Sequence, residues 1–365
     1  MTTALEARQR SRYTDRELDT LLTSFDTSYA WNYGHVKEGL AGLYEKAKRE
    51  QWNATTQLDW DTDVDPERGI LPDGVNPLTG YGPFEKLDAR EKTKLRHAQI
   101  SLQLSQFLHG EQGALVATAK IVQAAPTEES KFYAANQVAD EARHVEVYHR
   151  YLTEKLGISY EVHPSLGTLL DDIVRDPRWD VTYLGMQIMV EGLALAAFGM
   201  QKLMMQDEPL IQDITTRIMG DESRHVAFGV LSLQGLYSEM GGKELRERED
   251  FLIDATHLMR ERMMMHQVFD RLGWDKKVWI PWMDTTPFMQ GFRQMLFSKI
   301  VPNLKRLGLL TPRVRSAYAE LGILQYEHLK DSVEDPGVAP PEELVKLLMQ
   351  FMAEGGNVGS VQPAG

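Results

Sequence analysis

Asp140-Glu141-Ala142-Arg143-His144 and Asp221-Glu222-Ser223-Arg224-His225 are two copies of one short pattern. Each holds a Glu-x-x-His pair, and a separation of three residues on a helix sets carboxylate and imidazole side by side on one face, within reach of a single cation. One such copy usually marks a solvated, ion-paired helix face. Two copies, each preceded by a glutamate on an apolar stripe, point instead to a site for two metal ions. The preceding glutamates are Glu111, among Leu104, Phe107, Leu108, Ala114 and Leu115, and Glu191, among Leu184, Ile188, Ala194, Leu195 and Phe198. These stripes have helical spacing and face a core. A buried carboxylate without a partner is strongly unfavourable, and a cation is the usual remedy. Four carboxylates and two imidazoles make a hard, oxygen-rich donor set suited to Fe(II), Mn(II) or a mixed pair, and their four negative charges balance two divalent ions.

Bringing six side chains to one point requires four helices, two supplying a glutamate and two supplying Glu-x-x-His. From Glu111 to Glu141 the chain runs 30 residues and from Glu191 to Glu222 it runs 31. Each half therefore reads as an antiparallel helix pair with a short turn, and the two halves as a degenerate duplication. A crossover with a small helix near Leu166 to Val174 joins them. The expected ligand helices are Ala89 to Gln123, Thr127 to Leu156, Val181 to Met205 and Leu210 to Met240. Gly157 stops the second.

Leu22 to Gln51 has long helical periodicity, and a polar loop follows from Asn53 to Gly82. A fifth helix is expected over Lys243 to Leu272, carrying Met263-Met264-Met265, and an aromatic, proline-broken segment follows from Trp274 to Phe288. Gln290 to Leu324 looks helical and amphipathic. The fold expected is all-α, a four-helix bundle core with additional N- and C-terminal helices. Residues 1–322 form the helical domain, with the ligand helices at 89–240, and residues 323–365 form an extension with a short helix and a flexible tail.

The 365 residues include no cysteine, which removes disulfides, Cys-ligated zinc and an iron–sulfur cluster. Gly355-Gly356-Asn357-Val358-Gly359 lies too near the end to open a nucleotide-binding helix. A redox centre here needs electrons from a separate reductase or ferredoxin. A net charge of −13 argues against nucleic acid and anionic membranes as partners. The polar N-terminus reads as no secretory signal, and apolar runs such as Gly192 to Met200 are too short to span a bilayer, so a cytoplasmic protein is expected.

The order Glu, Asp-Glu-x-Arg-His, Glu, Asp-Glu-x-Arg-His over roughly residues 90 to 240 resembles the ferritin-like di-iron carboxylate superfamily. Within it the chain is similar to the hydroxylases of bacterial multicomponent monooxygenases and the small subunits of ribonucleotide reductase. The resemblance implies two iron ions per chain, or a mixed Mn/Fe pair. Glu111, Glu141 and His144 would bind one and Glu191, Glu222 and His225 the other, with Glu141 and Glu222 bridging. It further implies that Asp140 serves His225 and Asp221 serves His144. Arg143 and Arg224 would pair with acidic groups at the base of the site.

The chain also departs from these relatives. Monooxygenase hydroxylases carry a threonine one turn after the third glutamate, where this chain has Leu195. Arylamine N-oxygenases of the superfamily carry a further histidine one turn before the last glutamate, where this chain has Ile218. A seven-ligand N-oxygenase is therefore not the expectation, although N-oxidation stays open. Tyr148 occupies the place of the radical tyrosine of reductase subunits, yet Glu111 stands where those subunits usually have aspartate. Packing, or a hydrogen bond behind the metal ligands, is the favoured role for Tyr148, and His109 and His149 lie off the ligand faces.

The function expected is an O2-dependent non-haem di-iron oxygenase or oxidase. Its substrate would be a largely apolar organic small molecule held beside Phe107, Leu195 and Ile218, with hydroxylation, desaturation and N-oxygenation unresolved. A radical-generating or metal-carrying subunit is the alternative, and iron oxidation and storage a weaker one. A homodimer is the expected assembly.

Overall fold

The computed structural model describes residues 20–29, 31, 33, 38–66, 76–337 and 345–346. Helix α1 spans Glu38–Arg49, α2 Ala89–Ala124, α3 Glu128–Tyr151 and α4 Pro164–Arg175. A long apolar helix α5, Trp179–Met204, is followed by α6, Pro209–Leu233, and α7, Gly242–Glu261. Shorter helices α8 (His266–Leu272), α9 (Lys276–Thr285), α10 (Pro287–Met295), α11 (Ile300–Arg306) and α12 (Pro312–Glu320) complete it. No strand occurs among the described residues. The fold is all-α, with a ferritin-like four-helix core of α2, α3, α5 and α6 and helices on both sides of it in sequence.

Local chemistry sets the ends of these helices. Asp88 accepts from the Glu91 amide while Glu91 reaches back to the Asp88 amide, closing a reciprocal cap on α2. Thr127 caps α3 ahead of Glu128 and Glu129, acids that suit the positive end of a helix. Glu208 caps α6, with Pro209 in its first turn. Gly157, at φ +66°, ends the π-helical turn Leu152–Leu156 that prolongs α3, as its backbone freedom allows.

Several elements differ from the sequence reading. Residues 20–29 are not helical; Leu22 is 92% exposed, while Phe25 lies against Lys120 and the Ser28 amide donates to the Gln123 carbonyl, so the segment lies along α2 as extended chain. The helix that carries the last ligands stops at Leu233, where Gln234 turns to ψ 127° and Gly235 takes φ +85°. The fifth helix breaks at Arg262 to Met265 into α7 and α8. The amphipathic stretch from Gln290 divides into α10, α11 and α12, with Gly308 at φ +76° and Pro312 punctuating it.

Helix α5 runs further than the apolar run suggested. Its length and composition would suffice to cross a bilayer, but 89% of its apolar window is buried inside the protein, as befits a core helix. Residues 324–337 pack back on the bundle, with Ser332 on Asn303 and Asp331 on Arg306. The short final helix and tail expected from the sequence lie outside the described residues, apart from 345–346.

Candidate metal centre

Glu111 comes from α2, Glu141 and His144 from α3, Glu191 from α5, and Glu222 and His225 from α6. All six converge and all are buried. His144 Nδ1 lies 3.1 Å from Glu111, 3.5 Å from Glu141 and 3.2 Å from Glu222. His225 Nδ1 lies 3.1 Å from Glu141 and 3.5 Å from Glu222. Two groups could each hold an ion: Glu111, Glu141, His144 and Glu222, and Glu141, Glu191 and His225. Glu141 belongs to both. Glu222, assigned from sequence to the second ion, falls in the first group, and its Oε1 reaches both imidazoles.

The local electrostatics fit two cations. Glu141 Oε2, Glu191 Oε2, both Glu222 oxygens and His225 Nδ1 have no hydrogen-bond partner despite deep burial. Such orphans are costly unless something absent from the protein chain meets them. Burial pushes the Glu111 carboxyl well up, partly offset by His144. Burial likewise raises Glu191, reinforced by Glu222 and Glu141. Burial depresses both histidines, but Glu111 beside His144 and Glu141 beside His225 reverse the direction and hold both well above the usual imidazole range. The metal-free cluster thus has to share protons among its acids and imidazoles. Two divalent ions would take their place.

Each imidazole turns its other nitrogen to an aspartate from the facing helix. His144 Nε2 donates to Asp221 Oδ2 at 3.1 Å and His225 Nε2 donates to Asp140 Oδ2 at 3.2 Å. Burial raises the Asp221 carboxyl, but His144 and Arg224 outweigh it and keep the group ionised. Arg143 pairs with Asp140, and Arg224 with Asp221 and Glu50. Beneath them the chain just after α1 supplies groups that sequence reasoning missed. Trp52 Nε1 donates to Asp221 Oδ2 at 2.7 Å, and Gln51 Nε2 donates to Asp140 Oδ1 at 2.8 Å. Gln137 was also missed; its Nε2 donates to Glu141 at 2.9 Å and to Glu191 at 2.8 Å. It lies one turn before Glu141, and that spacing was the available signal.

A cavity of about 20 Å³ opens on Glu111, Glu191 and Glu222, walled by Gln106, Phe107, Gly110, Ala114, Val190, Ala194, Phe198 and Arg262. Of the pocket residues expected, Phe107 lines it, while Leu195 and Ile218 do not. Ala194 and Phe198 follow Glu191 by three and seven residues and share its face, while Leu195 is buried in the core and does not line the cavity. Ile218 is fully buried in that core. The Tyr148 ring packs 5.8 Å from Phe107 and 6.3 Å from Phe198, and its hydroxyl has no partner. Burial, with the Glu111 charge adding to it, holds that phenol well above its usual range. His109 Nε2 donates to the Tyr160 carbonyl, 2.8 Å away, outside the cluster.

Among solved structures, the chain is similar to the dimanganese(II) form of NrdF from Streptococcus sanguinis, at 15% identity, with a TM-score of 0.49, over 80% of this chain and 99% of that one. A variant of an R2-like ligand-binding oxidase with an Mn/Fe cofactor is 17% identical, with a TM-score of 0.45, over 76% and 94% of the two chains. No curated protein matches the sequence. Residues 35–308 match the family described as p-aminobenzoate N-oxygenase AurF, a span that contains the bundle, all six clustered residues and the cavity. The chain therefore belongs to the AurF family and is a non-haem di-iron oxidoreductase.

Proposed function

We propose that this protein is an O2-dependent N-oxygenase of an aromatic amine. In this reading Glu111, Glu141, His144, Glu191, Glu222 and His225 hold two iron ions or an Mn/Fe pair, without a seventh ligand at Ile218. The observation that carries the proposal is the cavity, which brings an apolar, aromatic wall directly against three of the four clustered carboxylates. The family description, N-oxygenation of p-aminobenzoate, supports nitrogen as the atom oxidised. The bound metal pair supplies electrons to O2 and hence an oxidant strong enough for an amine nitrogen.

The chain's own residues do the rest. Asp140 and Asp221 hold the imidazole protons on Nε2 and leave Nδ1 free to face the metals. Gln137 fixes Glu141 and Glu191 together across two helices. Phe107, Phe198, Val190 and Ala194 exclude water and present an apolar surface to a ring. With no cysteine and no nucleotide-binding loop, we assign electron delivery to a separate reductase or ferredoxin. We further assign a cytoplasmic, homodimeric enzyme.

The test loads the protein anaerobically with Fe(II), counts metal, then adds ¹⁸O2, a chemical reductant and an arylamine. About two metal ions per chain are expected of a dinuclear carboxylate site, together with label on the product nitrogen. NADH alone should not sustain turnover. One ion per chain, or no label in product, overturns the reading. A long-lived tyrosyl radical that is lost in Tyr148→Phe would replace it with a radical-generating subunit.

A further inference from the structure

Tyr133, Gln137 and Glu141 stand at four-residue intervals on α3, and Tyr183, Gln187 and Glu191 repeat the order at the same intervals on α5. Residues four apart are neighbours on a helix, so each set forms a ladder from near the start of its helix to a clustered glutamate. The tyrosine and glutamine side chains are all fully buried. A helix face turned to the core is ordinarily apolar, and here most of the polar ends go unanswered. The Tyr133 hydroxyl, the Gln137 carbonyl oxygen and both ends of the Gln187 amide have no hydrogen-bond partner. The ladders converge against α6. Gln187 packs on Gly229, and the neighbouring Phe228 ring lies 4.3 Å from Tyr133 and 5.1 Å from Tyr183 between centroids. At the metal end Gln137 Nε2 donates to both Glu141 and Glu191. At the far end the Tyr183 hydroxyl lies beside those of Ser130 and Ser232. Ser130 Oγ in turn accepts from Thr127 at 2.8 Å, where the half-buried cap of α3 meets solvent.

We propose that the two ladders line a lane of ordered water that carries protons from the start of α3 to the metal centre. This rests on the O2-dependent reading of the centre, and not on which amine is oxidised. Converting an arylamine and O2 to a hydroxylamine and water consumes two electrons, taken from the external reductase or ferredoxin, and two protons, taken from solvent. The cavity cannot deliver those protons once an aromatic substrate fills it, because Phe107, Val190, Ala194 and Phe198 wall it. On α5 those wall residues lie at and beyond Glu191, whereas the ladder lies before it. Polar groups stranded in a core are costly, and the usual remedy is buried water making about three hydrogen bonds. Water held by Gln187, Tyr133 and Gln137 joins the Tyr183 hydroxyl to the edge of the cluster. Each hydroxyl then takes a proton from one neighbour and gives one to the next, with no net change of its own charge. Burial holds both phenols above their usual range, so they relay protons as hydroxyls and not as bases. Glutamine suits the positions nearest the metals, since an amide orients water without adding another negative charge to four carboxylates.

The experiment has one arm without O2 and one with it. A crystal structure of the Mn(II)-loaded protein should show ordered water bonded to the Gln187 amide and the Tyr133 hydroxyl. In the same metal-loaded, O2-free state Gln187→Leu should melt no higher than the wild type, because the amide it removes is satisfied by water. A dry lane, or a Gln187→Leu protein that melts clearly above the wild type, shows an amide stranded in a dry core and overturns the proposal. In turnover with Fe(II), an arylamine and a chemical reductant, Gln187→Leu and Tyr183→Phe should each lower kcat by at least about tenfold, as lost proton transfer does. Metal content should be unchanged and the solvent deuterium isotope effect should rise, since proton delivery becomes limiting. Gln187→Asn keeps an amide in the lane and should recover most of the rate. An isotope effect equal to the wild type in both variants overturns the proposal, and Tyr183→Phe alone decides it where Gln187→Leu does not fold. Ordered water in the lane of a protein that oxidises no amine would sink the N-oxygenase reading and leave the lane standing. Amine oxidation around a dry lane would do the reverse.

Discussion

His144 and His225 each face two ways, with Nδ1 toward the glutamate cluster and Nε2 toward an aspartate on the opposing helix. That arrangement fixes the tautomer that can bind a metal and makes the aspartate part of the affinity. Asp221→Asn should therefore lower metal affinity by about 10–100-fold with the fold retained, read by competition with a chelator of known affinity. Unchanged affinity would show that Asp221 serves only packing. Trp52→Phe removes a 2.7 Å donor to the same oxygen and should cost less, since His144 and Arg224 still hold Asp221. The six clustered residues were legible because two helical repeats wrote them into the sequence. Trp52 was not, since it stands 169 residues from Asp221 and a tryptophan after a helix carries no period. Arg262 was equally silent, as a lone arginine beside a methionine run. Imidazole and carboxylate 3.1 Å apart share a proton when metal-free, so loading should also release protons. Calorimetry in buffers of different ionisation enthalpy measures that release, and zero release would contradict it.

Two elements hold the cluster in register without contributing a ligand. The π-helical segment Leu184–Val190 immediately precedes Glu191 and changes the pitch that a plain α-helix would give, which sets the glutamate, Ala194 and Phe198 on the cavity face. Opposite it, Gly229 lies one turn after His225, and a Cβ there would come within 2.5 Å of Gln187 Cβ. That neighbour is bonded to backbone and cannot swing away. Gly229→Ala should accordingly force α5 and α6 apart, costing about 1–3 kcal/mol in overpacking and weakening metal binding. Urea unfolding with metal counting tests it, and a fully stable variant with two ions per chain would show that the close approach is dispensable. Helix existence was readable from apolar spacing at α2, α3, α5 and α6, and Gly157 marked a stop correctly. The π segments were not readable, because a one-residue change of pitch leaves no compositional mark. The break at Arg262 to Met265 also escaped notice, since methionines and arginine are good helix formers.

At the scale of the whole molecule, one centre joins four helices that are far apart in sequence, and metal-free it leaves buried carboxylate oxygens without partners. Binding that occurs in the folded chain and is absent from the unfolded one stabilises the bundle by mass action, about 2.7 kcal/mol for each site at a free metal level one hundred times its dissociation constant. Removing the metal with a chelator should therefore lower the melting temperature of the entire bundle in one cooperative transition, rather than loosening a single helix. Glu222 offers the sharpest control, because its Oε1 reaches both histidines. Glu222→Ala removes a buried acid that makes no hydrogen bond, although its charge faces both imidazoles, so the metal-free variant should melt close to the metal-free wild type, while the upward shift on adding Fe(II) or Mn(II) disappears. Differential scanning calorimetry of both proteins, with and without metal, makes the comparison. If the wild type melts at the same temperature in chelator and in metal, the cluster is not a metal centre that supports the fold, and its buried acids and imidazoles must be balanced by protons alone.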